Sequence, residues 1–189
     1  MTGILLALVA AAGALPSFPR QAGGPITQPA LGVTLDGHPA VVAVAGERLV
    51  AFRASGAAVP GFPVALGADE VPSGAPAAAD MDGDRRPEIA VVTLSGTVVL
   101  WADGRVAPGF PRPLGARARA GPSFADVDGD GRPELLVGDD KGRVHAFKKN
   151  GREARGWPVS VGAPVTGSVS SARFAGGPVL RGRYRNWPY

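Results

Sequence analysis

The chain has 189 residues, enough for one domain with a hydrophobic core, and no cysteine, which excludes disulfides, thiolate metal sites and cysteine nucleophiles. Its 28 glycines and 19 prolines recur between short apolar runs, a pattern typical of an all-β protein with frequent turns. The net charge of +4 comes from scattered basic residues and gives little support to nucleic-acid binding, and no apolar run reaches the ~18 residues of a membrane span.

The N-terminal segment has two interpretations. Residues 4–15 form an apolar run of 12 residues, the length of a signal-peptide h-region, although no Lys or Arg precedes it. Residues 3–8 also align with Gly142 to Phe147, a strand segment further along the chain. We therefore predict a partial repeat unit over residues 3–20, with a signal peptide as the alternative.

Three tandem units of about 47 residues follow, over residues 28–67, 72–115 and 120–162. Each has two apolar runs joined by a Gly turn, then a corner in which Gly and an aromatic residue precede Pro, and room for two further short strands. Four strands repeated at this interval predict β-propeller blades.

Two acidic loops of one design introduce the second and third units. Loop 1 (residues 80–88) and loop 2 (residues 126–134) lie 46 residues apart and hold eight of the 16 acidic residues. Carboxylates at loop positions one, three, five and nine repel one another unless a cation lies between them, and hard oxygen donors suit Ca²⁺. The alternative is a pair of solvated Asp-Gly turns. The first unit carries Gly32, Thr34, Asp36 and Ala40 at these positions, so we predict that it is metal-free.

Residues 163–189 complete the chain with strand-like patterns at 168–174 and 178–184 but no acidic loop. We predict a partial blade there, followed by a tail. This partial blade and residues 3–20 could pair as one composite fourth blade that closes the ring and removes exposed strand edges. Alternatively, the chain is a fragment of a longer propeller, and its open blade edges would allow self-association.

The succession of Asp-x-Asp-Gly-Asp-x-x-Pro-Glu, an apolar strand, Gly-x-Val-x-Ala-Phe and a Gly-aromatic-Pro corner resembles the FG-GAP/VCBS repeats of bacterial surface and secreted proteins. Those repeats are related to the calcium-carrying blades of the integrin α-subunit propeller. The resemblance implies two structural Ca²⁺ sites. Their side-chain ligands would be Asp80, Asp82, Asp84 and Glu88 in loop 1 and Asp126, Asp128, Asp130 and Glu134 in loop 2, with the backbone carbonyls of Arg86 and Arg132 at position seven.

Loop 1 and loop 2 depart from the family pattern at two positions. Position nine is Glu, although the family often has Asp there. Position six, commonly Gly, is Gly131 in loop 2 but Arg85 in loop 1. If the turn needs a positive φ at this position, Arg85 introduces strain and the first site should be the weaker one.

Aromatic residues recur at the unit corners, beside Pro: Phe18, Phe62, Phe110 and Trp157. We expect them to pack between adjacent blades, and the alternative is a set of platforms for sugar stacking. The two histidines, His38 and His145, have no accompanying catalytic or metal-binding pattern.

Together these patterns predict a non-enzymatic, calcium-stabilised propeller module with no catalytic residues. It would bind another protein or a surface glycan, in adhesion, outside the cytoplasm: extracellular, at the cell surface or in the periplasm. No nucleic acid and no stable membrane span are expected. The alternatives are a propeller domain or remnant of a secreted polysaccharide-degrading enzyme, and an incomplete fragment of a larger FG-GAP/VCBS protein.

Overall fold

The computed structural model describes residues 20–174 and 177–181. Within these ranges the chain consists of antiparallel β-strands and turns without a helix, which confirms the all-β prediction. The strands are β1 Leu31–Leu35, β2 His38–Ala45, β3 Arg48–Arg53, β4 Val64–Ala65, β5 Ala77–Ala79, β6 Glu88–Val92, β7 Thr97–Ala102, β8 Arg105–Val106, β9 Arg112–Pro113, β10 Ser123–Ala125, β11 Glu134–Gly138, β12 Arg143–Phe147, β13 Val159–Ser160, β14 Ser170–Phe174 and β15 Gly177–Arg181.

These strands form four sheets, here called A to D in chain order. Sheet A has the order β1-β2-β3-β4, and sheet B the order β5-β6-β7-β8 with β9 also paired to β7. Sheet C has the order β10-β11-β12-β13, and sheet D is the β14–β15 hairpin. Every strand pairing is antiparallel and joins strands close in sequence, so each sheet is built from one stretch of chain.

The second strands of sheets B and C are apolar after their first residue, a glutamate, because both of their faces are covered. All five residues of β6 and of β11 are buried. One core cluster joins sheets A and B, with Leu49 and Ile89 among its members. A second cluster joins sheets B and C through residues such as Leu100 and Leu135. Sheets A, B and C therefore stack side by side with one apolar layer in each gap, as neighbouring propeller blades do.

The first strands of neighbouring sheets approach one another closely. Strand β10 contacts both β5 and β14. Just before β5, the Ser73 hydroxyl donates to the carbonyl of Ala120 over 2.8 Å. A Cβ on Gly74 would lie 2.3 Å from the nitrogen of Gly121, so only glycine fits this contact. The first strands of sheets B, C and D thus lie at one common edge, where the inner strands of a propeller would be.

At the corners, aromatic rings connect each sheet to the next one. The ring centroids of Phe62 in sheet A and Trp101 in sheet B are 4.6 Å apart. Phe110, between β8 and β9 of sheet B, and Phe147 in sheet C form an edge-to-face pair at 6.3 Å. The predicted packing between units is confirmed for Phe62 and Phe110. The corners also share a cis X-Pro bond, at Phe62-Pro63, Phe110-Pro111 and Trp157-Pro158.

Several predictions fall outside the described residues, namely all but the last residue of the partial unit over residues 3–20, with Phe18, the signal-peptide alternative and the tail after residue 181. The hairpin β14–β15 lies in the predicted C-terminal partial unit. Blade number and ring closure stay predictions. In the described part of the chain, no helix is long and apolar enough to cross a membrane.

Candidate metal centre

Each acidic loop connects the first strand of its sheet to the second strand. Loop 1 joins β5 to β6, and loop 2 joins β10 to β11. Strand pairing places Ala79 opposite Glu88 and Ala125 opposite Glu134. The position-one aspartate follows the first of these residues directly, so the hairpin brings the carboxylates of positions one and nine to the same end of the sheet.

Backbone N–H groups turn inward and fix the position-one aspartates. In loop 1, Asp80 accepts from the N–H of Gly83 over 2.7 Å and from that of Arg85 over 2.8 Å. In loop 2, Asp126 accepts from Gly129 over 2.7 Å and from Gly131 over 3.0 Å. These donors hold the pKa of Asp80 below its usual range, although desolvation alone would raise it.

Position six has the left-handed conformation that the sequence suggested. The φ angle is 69° at Arg85 and 83° at Gly131. A side chain in this conformation costs roughly 1 kcal/mol or more compared with glycine. Loop 1 therefore carries backbone strain that loop 2 avoids.

Three of the four predicted carboxylates in each loop converge. Asp80, Asp82 and Glu88 place one oxygen each within 4.8 Å of one another, and Asp126, Asp128 and Glu134 do the same. The position-five residues lie outside these triads and brace the turn. Asp84 accepts from the N–H of Arg86 over 2.7 Å, and Asp130 accepts from the N–H of Arg132 over 2.9 Å. The carbonyls of Arg86 and Arg132 stay predicted ligands.

The position-nine glutamates form the buried floor of each cluster. Glu88 and Glu134 are each only 1% exposed. Each accepts one backbone hydrogen bond, from Met81 over 2.7 Å and from Val127 over 3.0 Å. Burial raises the pKa of both glutamates. A buried carboxylate without a positive partner is costly, so each of these two glutamates requires a cation beside it.

Two adjacent lysines of sheet C supply positive charge to the two clusters. The Lys149 ammonium lies 2.9 Å from Glu88 and also contacts Asp82. The Lys148 ammonium lies 2.6 Å from Asp128, 3.0 Å from Asp130 and 3.5 Å from Glu134.

The carboxylate contacts raise the pKa of both lysines. Hydrogen bonds that the Lys148 ammonium donates to Asp128 and Asp130 raise the pKa of this lysine. For Lys149 burial acts in the opposite sense, but the hydrogen bonds to Asp82 and Glu88 outweigh it and raise the pKa. The Lys149 hydrogen bond, in turn, lowers the pKa of Asp82. The ammonium and carboxylate charges therefore stabilise one another in both loops.

Sequence reasoning missed these lysines. Lys149 lies 67 residues from Asp82, so no local motif connects them. One signal for Lys148 was available. This residue directly follows β12, and β12 pairs with β11, whose first residue is Glu134.

In sheet A the corresponding loop retains one carboxylate, Asp36. It pairs with Arg53 at 3.2 Å and with Arg86 at 3.0 Å. Arg53 follows Phe52 as Lys148 follows Phe147, so in both sheets a basic residue at or just after the end of the third strand reaches its own loop. That the first unit is metal-free stays a prediction.

A second polar cluster lies in the β11–β12 hairpin. Asp139 is fully buried and accepts hydrogen bonds from the backbone N–H and the guanidinium of Arg143. His145 lies between Asp139, at 3.3 Å, and Glu153, at 2.6 Å, and its ring stacks on Phe147. The cluster satisfies buried polar groups inside the sheet and fastens its hairpin.

The donor set of the loops decides which ions fit. Both triads consist of carboxylate oxygens without nitrogen or sulfur, the donors preferred by hard cations such as Ca²⁺ and Mg²⁺. Two acidic triads of the described chain could thus hold a metal ion.

Solved structures share this fold. Two crystals of BBS1N in complex with ARL6DN match with TM-scores of 0.61 and 0.63, at 17% and 16% identity, over 88% of this chain and 52% and 51% of theirs. The biofilm matrix protein Bap1 of V. cholerae matches with a TM-score of 0.56 at 20% identity, over 80% of this chain and 23% of Bap1. The likeness establishes a β-propeller-like all-β fold. The chain spans about half the length of BBS1N and about a quarter of Bap1. No protein-family model and no curated protein matches the sequence.

Proposed function

We propose that the chain is a calcium-stabilised, non-enzymatic β-propeller module of FG-GAP/VCBS type, acting as a binding or adhesion unit outside the cytoplasm. The observation that carries this proposal is the pair of carboxylate triads, built on equivalent hairpins of two neighbouring sheets. A single acidic turn would have many explanations. Two turns with the same hydrogen bonds and the same buried glutamate favour a repeated metal loop.

Calcium is the ion that these loops suit best. Their backbone N–H groups surround the position-one aspartate, and their donors are carboxylate oxygens on a hairpin loop, a kind of oxygen cage in which Ca²⁺ tolerates irregular geometry better than Mg²⁺ does. Extracellular modules bind Ca²⁺ with dissociation constants on the order of 10⁻⁴ to 10⁻³ M. External Ca²⁺ in the millimolar range would fill such sites, which supports a location outside the cytoplasm.

In this proposal the ion has a structural role. It would neutralise the carboxylates at the first turn of sheets B and C and hold β5 against β6 and β10 against β11. Any ion that binds the folded state alone stabilises it by mass action. The loops would then shape a surface for a partner without taking part in chemistry.

A protein is the partner that the described surface supports best. Among residues 20–171, whose side chains are described, Val71 is the large hydrophobic residue that stands exposed, and the corner aromatics are buried or half-buried between sheets. Sugar stacking needs exposed ring faces, so these aromatics do not favour a glycan. BBS1N, one of the similar structures, was crystallised with the protein ARL6DN, and Bap1 is a biofilm matrix protein.

The ring of the proposed propeller would close through a fourth blade. Sheet D has two strands, and residues 3–20 would add the remaining ones. Gel filtration with light scattering tests this part, because a closed ring predicts a compact monomer. Self-association through open edges would contradict it.

The calcium part is tested by thermal unfolding with and without Ca²⁺. We expect the melting temperature of the wild type to rise with Ca²⁺ and this rise to shrink in loop variants. A rise of equal size in every loop variant would exclude these loops as its source. A glycan array then tests the partner class, and saturable binding to a defined sugar would replace the protein by a glycan.

A further inference from the structure

We infer that Lys148 and Lys149 are built-in counter-cations that hold loops 2 and 1 folded without a metal, and that Ca²⁺ must displace their ammonium groups to bind. The inference rests on the proposed calcium binding and adds what regulates it. Each ammonium contacts carboxylates of positions three and nine, which are two of the three members of each triad. An ammonium and a divalent ion cannot both occupy that space.

The chain places its lysines selectively. Of its three lysines, two enter the acidic loops, and the third, Lys141, donates to the carbonyl of Gly115 over 2.9 Å. The chain has 17 arginines, so basic residues are abundant, yet the two triads are reached by the compact ammonium groups. A small charge on a flexible stem can enter a tight oxygen cage and leave it again.

The same design recurs in the unit that has a single carboxylate. In sheet A, Arg53 stands at the position of Lys148 and reaches Asp36 and the carbonyl of Leu35. In sheet B the equivalent position is Ala102, which has no charge to offer, and Lys149 reaches into this loop from sheet C. Arg53, Lys148 and Lys149 thus each bring a basic group to one of the three loops, from the end of a third strand or from the turn after it.

The two lysines differ in what their displacement would change. Lys148 pairs within its own sheet, so Ca²⁺ in loop 2 would replace a local contact. Lys149 connects sheet C to sheet B, so Ca²⁺ in loop 1 would release a tie between neighbouring sheets. Lys149 is also less exposed than Lys148, 24% against 37% for the side chains, and its removal should therefore have the larger effect in the absence of metal.

The test uses Lys148→Met and Lys149→Met, which retain most of the apolar stem, with Lys141→Met as the matched control. In chelator we expect Lys149→Met to lower the melting temperature by about 5 °C, because it leaves the buried Glu88 without a positive partner. Lys148→Met should lower it less, and Lys141→Met should remain close to wild type. In calorimetric titrations with Ca²⁺, both loop variants should bind at the affected site at least about fivefold more tightly than wild type, since no ammonium has to leave.

Should Lys149→Met be too unstable to purify, Lys149→Met with Glu88→Gln removes both charges and should recover stability in chelator. Equal Ca²⁺ affinity in wild type and both loop variants would overturn the inference and leave calcium binding intact. Wild-type melting temperatures of both variants in chelator would overturn it as well. Absence of Ca²⁺ binding in wild type and all variants would instead defeat the proposed function, and the displacement with it.

Discussion

Replacing Glu88 by Gln separates the role of its charge from the role of its shape. The amide oxygen can still accept the N–H of Met81, now 2.7 Å from the carboxylate, but the negative charge facing Lys149 disappears. In chelator the lost ion pair costs about 1 kcal/mol, and the lower cost of burying a neutral amide offsets part of it. The metal-free protein should therefore change little in stability.

With Ca²⁺ the same substitution should have a large effect. An ion present at 100 times its dissociation constant stabilises the fold by about 2.7 kcal/mol. For a chain of this size that corresponds to roughly 5–10 °C of melting temperature per site. Glu88→Gln should lose the part of the Ca²⁺-induced rise in melting temperature that comes from loop 1. Glu47→Gln, which lies outside both loops, should retain the full rise. Differential scanning calorimetry in Ca²⁺ and in chelator measures both effects, and a full Ca²⁺ response in Glu88→Gln would refute the assignment of Glu88 as a ligand.

Three further predictions test the fold around the site. Gly96→Ala would place its Cβ 1.8 Å from the carbonyl oxygen of Ala116 and should lower the free energy of unfolding by more than about 3 kcal/mol. The control Gly115→Ala has a positive φ but open space around the new Cβ, and it should cost about 1 kcal/mol. Denaturant unfolding measures both values. Phe110→Ala should cost about 3 kcal/mol by the same assay, because its ring fills the gap between sheets B and C. Desolvation alone would raise the pKa of Asp139, but hydrogen bonds from Arg143 hold this pKa below its usual value of 3.8. The ionised Asp139 therefore stabilises the fold above pH 3.8, and this stabilisation is lost as the pH falls through the lowered pKa. Asp139→Asn should therefore lower stability at neutral pH by about 3 kcal/mol and flatten its decline in acid, and an unchanged acid slope would contradict this role.

The repeat pattern predicted much of the fold because the structure is built from local hairpins. Strand pairings such as Ala79 with Glu88 follow directly from the sequence between two turns. The repeat also predicted the positive φ at Arg85, because the equivalent residue in loop 2 is a glycine. The corner aromatics repeat at fixed intervals, and their packing on the next sheet follows from that repetition.

The Lys149 contacts were not predictable because they depend on how two sheets lie relative to each other. Lys149 and Asp82 are far apart in sequence, and their meeting requires the close approach of sheets B and C. The position-five aspartates illustrate a second limit. Spacing alone suggested four equivalent carboxylates, but Asp84 and Asp130 lie outside the two triads and accept from the N–H groups two residues later, and their role as ligands stays a prediction.

The calcium stoichiometry tests the central claim most directly. Calorimetric titration of the wild-type chain should give two Ca²⁺ per molecule, with the loop 2 site the tighter one because Gly131 adopts its positive φ without strain. Asp126→Ala with Asp128→Ala should leave one weaker site, and Asp80→Ala with Asp82→Ala should leave one tighter site. A wild-type chain that takes up no Ca²⁺ at millimolar concentration, or one whose uptake is unchanged by both double substitutions, would contradict the account.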